Sequence, residues 1–212
     1  GYKDKIFKSK LSKRDKESIT VLKKIGIKKK NIYFLGKHLN IRVNKLFLNL
    51  NKAYFKINNL TKKIIPSEII TLAWEGGHED HDACNLIARK IAFKYKIIND
   101  CKEFSLYNAF NRNILFFRVF NPLKKGKIIK SNFYERLFCI SCLFTYKSQF
   151  KIWIGLYPFI IIHYLLFGYN YMQALNKSKK IIKPHGGKVL YEVRKFCDFK
   201  KFKAQTEQFL KS

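Results

Sequence analysis

The feature that most restricts the fold is the junction around Gly76 and Gly77. Ile69-Ile-Thr-Leu-Ala-Trp74 is a largely apolar run of strand length, and behind the glycines Ala83, Leu86, Ile87 and Ile91 recur at helical spacing. An interior strand, a glycine turn and a helix are therefore expected in direct succession. Asp80 and Asp82 stand where carboxylates meet the positive end of that helix's dipole. Other segments alternate in the same way. Lys13 to Ile25 predicts a helix ended by Gly26, Asn31 to Gly36 a buried strand, Val43 to Ile57 a helix, Asn113 to Phe120 a strand and Phe133 to Gln149 a helix. Such alternation predicts an α/β domain with a mostly parallel sheet.

With 212 residues, 47% of them hydrophobic, the chain can bury one sizeable core, which excludes a disordered tail or a disulfide miniprotein. The 44 Lys and Arg against 14 Asp and Glu give a formal net charge of +30, a balance that favours phosphate-rich partners or anionic membrane surfaces. Only seven of the 44 are Arg, the residue that reads phosphate and guanine bidentately, and the lysines are scattered. No nucleic-acid partner is expected on that account. Five cysteines at irregular spacing fit a reduced, cytoplasmic compartment, and Cys139-Ile-Ser-Cys142, without a second Cys or His pair beside it, reads as structural thiols. The chain starts at Gly1 and its one methionine is Met172, from which an internal or truncated piece is expected.

Ile152 to Met172 is 21 residues without a formal charge, long enough for a bilayer span. Gly155, Pro158, His163, Gly168 and Asn170 interrupt it. A buried helix pair or an interfacial patch is the expectation, the patch offering contact with a membrane surface to an otherwise cytoplasmic protein.

Chemistry concentrates in Trp74-Glu-Gly-Gly-His78-Glu-Asp80-His81-Asp82-Ala83, at the C-terminal end of the expected strand, where open α/β sheets hold their ligands. Two of the five histidines fall three residues apart with the acids Glu79 and Asp80 between them. A hydrolytic metal site uses a neutral imidazole to hold the cation, a carboxylate to orient a ring, and a second imidazole that can carry charge. Two histidines do not complete such a site, which takes three protein ligands, and a polar helix start with solvated side chains is the plainer reading. Glu79 and Asp82 are explained by a solvated helix start, or they shape the mouth of the site together with Glu75. His38, His163 and His185 have no partner at ligand spacing and read as structural or surface residues.

This block after a strand resembles the second signature of the PIG-L/LmbE family of zinc-dependent N-deacetylases. Arg14-Asp-Lys-Glu17, the helix ending at Lys24-Ile-Gly26 and the run Ile32-Tyr-Phe-Leu-Gly36 resemble the family's Arg-x-x-Glu helix and the strand after it. Tyr146-Lys-Ser-Gln149 is similar to its Tyr-x-Ser-Gln segment, and Gly187-Lys-Val-Leu-Tyr-Glu192 to a late strand of some members. The resemblance implies a three-layer Rossmann-like α/β domain that here lacks its N-terminal strand and helix. It spans residues 1–130, with 131–212 as a helical portion and C-terminal extension. It further implies that His81 is a ligand of zinc or another divalent cation, that His78 stabilises the oxyanion or protonates the leaving amine, and that Asp80 orients His78. Arg14 is implied to hold a substrate hydroxyl or phosphate, the alternative being a helix-surface salt bridge with Glu17.

Two departures stand out. The family's His-Pro-Asp-Asp-Glu signature, which supplies two metal ligands and the general base, is absent from the sequence and belongs upstream of Gly1. Lys37-His-Leu-Asn40 replaces an Asp-Gly-containing loop. The expected function is removal of acetyl from an N-acetylated amino sugar or its conjugate, with this piece itself inactive. The alternatives are a catalytically inert relative and a basic RNA- or ribosome-binding protein. The sequence does not specify the sugar or the oligomeric state.

Overall fold

The protein is described by a computed structural model covering residues 2–110 and 118–211. It is a mixed α/β chain that divides into two compact units, one of Gly1–Asn40 with Lys130–Tyr169 and one of Ile41–Ile129 with Asn170–Ser212.

The second unit holds the sheet. Strands β1 (Ile70–Leu72), β2 (Lys102–Phe104), β5 (Lys127–Lys130) and β6 (Tyr169–Ala174) lie in the order β1-β2-β6-β5, while β3 (Tyr107–Asn108) and β4 (Arg118–Val119) form a separate antiparallel pair. β1 and β2 run parallel, with Thr71 opposite Glu103, whereas β2 and β6 run antiparallel, with Glu103 opposite Gln173. The sheet is therefore small and mixed, not mostly parallel. The parallel pair comes from the helix Glu79–Lys94, which carries the chain from β1 to β2 and buries Ala83, Leu86, Ile87 and Ile91. That is the apolar stripe its spacing predicts. The helices Leu50–Ile64 and Phe199–Lys211 pack against this helix, and Phe47, Trp74, Tyr191 and Phe202 meet through their rings.

The first unit is helical. Its N-terminal helix Tyr2–Lys24 covers all but the last residue of the predicted 13–25 segment, and Phe133–Thr145, capped by Asn132 and Glu135 in a reciprocal capping box, packs against Tyr157–Leu166.

Several expected elements differ. The helix expected over Val43 to Ile57 runs over Leu50–Ile64 behind a 3-10 turn at Leu46–Leu48, and the one expected over Phe133 to Gln149 ends at Thr145 with a 3-10 turn after it. Asn31 to Gly36 is not a strand: a short 3-10 turn at Lys29–Asn31 and a helical turn at Leu35–His38 take its place, and Tyr33 is exposed rather than interior. The run has apolar residues, but among the described residues no strand pairs with it, and the Asn31, Ile32 and Leu39 N–H groups bond carbonyls three or four residues back instead. Leu190–Val193 is a helical turn where a late strand is expected, because the Glu192 carboxylate accepts from Val189 N–H at 2.9 Å and closes the turn. Ile152 to Met172 divides between helix and strand, the last residues joining the sheet as β6. No helix among the described residues is long and apolar enough to cross a membrane. Residues 113–117 of the predicted 113–120 strand lie outside the described residues, and its last part includes β4.

Candidate functional site

The block from Trp74 to Ala83 forms the expected glycine turn and helix, but the strand before it, β1, spans only Ile70–Leu72 and lies at the edge of the sheet with Ile70 exposed, where an interior strand is expected. Glu75 is buried behind β1 and reaches the β3 backbone, where Oε1 accepts from Leu106 N–H at 2.8 Å and Tyr107 N–H at 3.0 Å. Its Oε2 accepts from Asn108 Nδ2 at 3.1 Å. Burial nevertheless pushes its carboxyl up to about 8, against the pull of these donors. Asp82, one helical turn in, folds back so that Oδ1 accepts from the N–H groups of Glu75 and Gly76, both at 3.2 Å. It is completely buried, and desolvation raises its carboxyl to about 7.

The glycines permit close approach. Gly76 has φ +72°, and a Cβ there would stand 2.6 Å from Val189 Cγ1. At Gly77 a Cβ would stand 2.1 Å from the Tyr107 carbonyl oxygen. The Gly76 carbonyl in turn accepts from Leu190 N–H at 2.8 Å, so the turn is clasped from both sides.

His78 is the N-cap of the site helix, with extended backbone, and its Nδ1 accepts from Asp80 N–H at 3.0 Å. That bond assigns the proton of a neutral His78 ring to Nε2, since Nδ1 is the acceptor. Asp80 thus holds His78 through its backbone amide. Its carboxylate is engaged elsewhere, accepting from Asn44 N–H at 2.7 Å and Leu46 N–H at 3.0 Å. The carboxylate that faces the His78 ring is Glu79, with Oε2 3.6 Å from Nδ1. Glu79 and Asp82 are fully buried, so neither belongs to a solvated helix start. Both Glu79 oxygens lack a hydrogen-bond partner, and burial raises its pKa while His78 lowers it.

His81 stacks on His78 with ring centroids 5.0 Å apart and meets the edge of Tyr107 at 5.5 Å. Its Nδ1 is buried without a partner. Burial, and secondarily the neighbouring His78, hold its pKa down to about 3. The ring is therefore neutral at physiological pH, the form in which imidazole ligates a metal. Among the described residues no three His, Cys, Asp or Glu side chains come together as a metal cage. His81 fits a cation as a single donor, and a three-ligand site needs its other donors from beyond the described residues.

Arg14 lies in the helical unit, half-buried, its guanidinium pKa lowered by burial against the pull of Glu17 and Asp15. Both Glu17 oxygens are taken by Ser148: Oε1 accepts from its N–H at 2.9 Å and Oε2 from its hydroxyl. His38 is exposed, His163 donates from Nε2 to the Tyr169 carbonyl at 2.6 Å, and His185 Nδ1 sits 2.7 Å from the Gly186 carbonyl.

Sequence reasoning did not single out Tyr107 or Glu103, which come from separate strands. Glu103 on β2 is buried, accepting from Asn85 Nδ2 at 2.7 Å and Gln173 Nε2 at 3.1 Å. It lines a cavity of about 380 Å³ together with Trp74, Gln173, Lys124, Lys180 and Lys183. A buried strand glutamate has no local signature, because its donors lie 18 and 70 residues away in the chain. Comparison with protein-family models, with curated proteins and with solved structures finds no match to this chain.

Proposed function

We propose that the block from Trp74 to Asp82 is the imidazole half of a hydrolytic centre of the PIG-L/LmbE type, which removes the acetyl group from an N-acetylated amino sugar or its conjugate. The finer fold that goes with this reading is a three-layer Rossmann-like domain. The observation that carries the proposal is the pair of stacked rings, His78 and His81, fixed at the C-terminal end of β1 on a turn anchored by Glu75 and Asp82. A further support is the Glu17 to Ser148 contact, which joins the Arg-x-x-Glu and Tyr-x-Ser-Gln segments across 131 residues.

The two rings divide the work by environment. His81, neutral and with an unpartnered buried nitrogen, is the metal donor. Zinc or another divalent cation supplies an electrophile for the acyl oxygen and an acidified water. His78 holds its proton at Nε2 and donates a hydrogen bond from it to the oxyanion, whereas giving a proton to the leaving nitrogen would require the ring to carry a second one at Nδ1. When His78 takes a second proton at Nδ1, the bond from Asp80 N–H is lost and Glu79 Oε2, 3.6 Å away, is the carboxylate that faces the new charge. Asp80 keeps the ring oriented through its amide while its carboxylate ties the helix start to the Asn44 to Leu46 turn.

The test uses the complete reading frame that contains this chain. His81→Ala should remove tightly bound zinc and acetate release from an N-acetylglucosamine conjugate, and His78→Ala should keep the zinc and lose turnover. Zinc content and turnover both unchanged in His81→Ala would overturn the proposal. A reading frame without an upstream His-Pro-Asp-Asp-Glu would leave the inert relative as the reading.

A further inference from the structure

The helix Tyr157–Leu166 carries no Asp, Glu, Lys or Arg and is packed on one side alone. Tyr157, Ile160, His163 and Tyr164 are buried, while Pro158, Ile162, Leu165 and Leu166 share the opposite side and are exposed. A surface helix normally presents polar residues there, and this one presents hydrocarbon. Its partner, Phe133–Thr145, repeats the pattern: Phe133, Leu137 and Phe144 recur at helical intervals on one exposed side, and Tyr134 is 82% exposed.

Charge narrows what can cover these sides. This helical unit has seventeen Lys and Arg against four Asp and Glu. In the segment Lys130–Tyr169 the one acid, Glu135, is engaged in the helix cap, and Lys147 and Lys151, between the two helices, are exposed. A second copy of the chain would bring the same excess of positive charge against itself. The exposed Ile, Leu and Phe side chains have no hydrogen-bonding atoms to satisfy. Hydrocarbon beneath a layer of negative charge meets both conditions.

We propose that the exposed side of Tyr157–Leu166, with the adjoining side of Phe133–Thr145, docks on an anionic lipid bilayer surface. Leu165 and Leu166 enter the boundary between headgroups and acyl chains, and Lys147 and Lys151 pair with headgroup phosphates. The contact is peripheral, since the helix has ten residues where a span takes about twenty. It is also smaller than the Ile152 to Met172 stretch, because Tyr169 to Met172 belongs to β6. The inference is independent of the hydrolase reading.

The experiment is flotation of the full-length protein with vesicles of phosphatidylcholine plus phosphatidylserine, and with phosphatidylcholine alone. Co-flotation with the anionic vesicles is expected, falling steeply as salt rises. Leu165→Glu with Leu166→Glu should weaken it by about tenfold or more, and Lys147→Glu with Lys151→Glu should flatten the salt dependence. Leu165→Ala with Leu166→Ala, which removes apolar area without adding charge, should weaken it in the same direction. Absence from the anionic vesicles, equal flotation on the neutral ones, or binding unchanged in both leucine variants would overturn the proposal. So would a dimer in sedimentation that the leucine variants dissociate, since the covering surface would then be a second copy.

Discussion

Replacing Gly77 with alanine tests whether the glycine turn is held by close contact or merely by flexibility. The added Cβ would lie 2.1 Å from the Tyr107 carbonyl oxygen. Carbon and carbonyl oxygen need about 3.3 Å, so one of the two backbones must move by roughly 1.2 Å. The Tyr107 backbone has little freedom to yield, because its N–H is bonded to Glu75 and Tyr107 pairs with Val119 on β4. Overpacking that forces backbone shifts costs about 1–3 kcal/mol, and the upper end is expected here because the atom met is a backbone oxygen and not the end of a flexible side chain. At about 3 kcal/mol the folded-to-unfolded ratio falls by more than a hundredfold, within what a domain stable by 5–15 kcal/mol survives. The assay is urea unfolding of the Gly77→Ala protein followed by Trp74 fluorescence in a Trp153→Phe background. Gly186→Ala is the control, since no atom lies within 4 Å of its Cβ position and its φ is not positive. It should be neutral or gain a few tenths of a kcal/mol. A Gly77→Ala unfolding free energy within about 1 kcal/mol of the parent would refute the close-approach reasoning.

Other consequences follow from the same geometry. Asp80→Ala should cost about 2 kcal/mol by releasing the Asn44 and Leu46 amides, seen as faster hydrogen exchange at those two positions. Glu17→Ala should destabilise the helical unit by about 1–3 kcal/mol and raise exchange at the Ser148 amide, and an unchanged Ser148 amide would count against the contact. In metal-free protein, His81 is pushed down to about 3 in the fold but protonates near its ordinary value of 6.5 when unfolded. The unfolded chain then binds the extra proton, so stability is fully present above pH 6.5 and declines as pH falls from there toward 3. His81→Gln should flatten that part of the pH–stability curve, and an unaltered slope would place the titration elsewhere.

The parts of the fold legible in the sequence are those with a local cause. The β1 strand, the glycine pair and the helix from Glu79 could be read because apolar spacing, backbone freedom and first-turn carboxylates each act within a few residues. Asn31 to Gly36 misled for the same reason in reverse: its apolar residues suit a strand, yet a strand exists only where a neighbour offers a ladder, and no local pattern encodes the neighbour. The sheet's mixed character is likewise a long-range fact, fixed where Lys102 meets Ala174. At the candidate site the sequence placed His78 and His81 together, but which carboxylate faces which ring was a tertiary outcome.

What the sequence determined by itself, then, is the junction and its residue types, since a strand end, two glycines and a capped helix leave the chain one way to turn. What the tertiary structure decided is the state of each group there. Asp80 is drawn off to the Asn44 turn, Glu75 to β3 and Asp82 back onto the loop, each accepting from backbone N–H groups that the packed chain brings to it, while the buried Glu79 is left facing His78. The neutral His81 ring has the same origin, for only burial among segments distant in sequence removes the water that would otherwise let it charge.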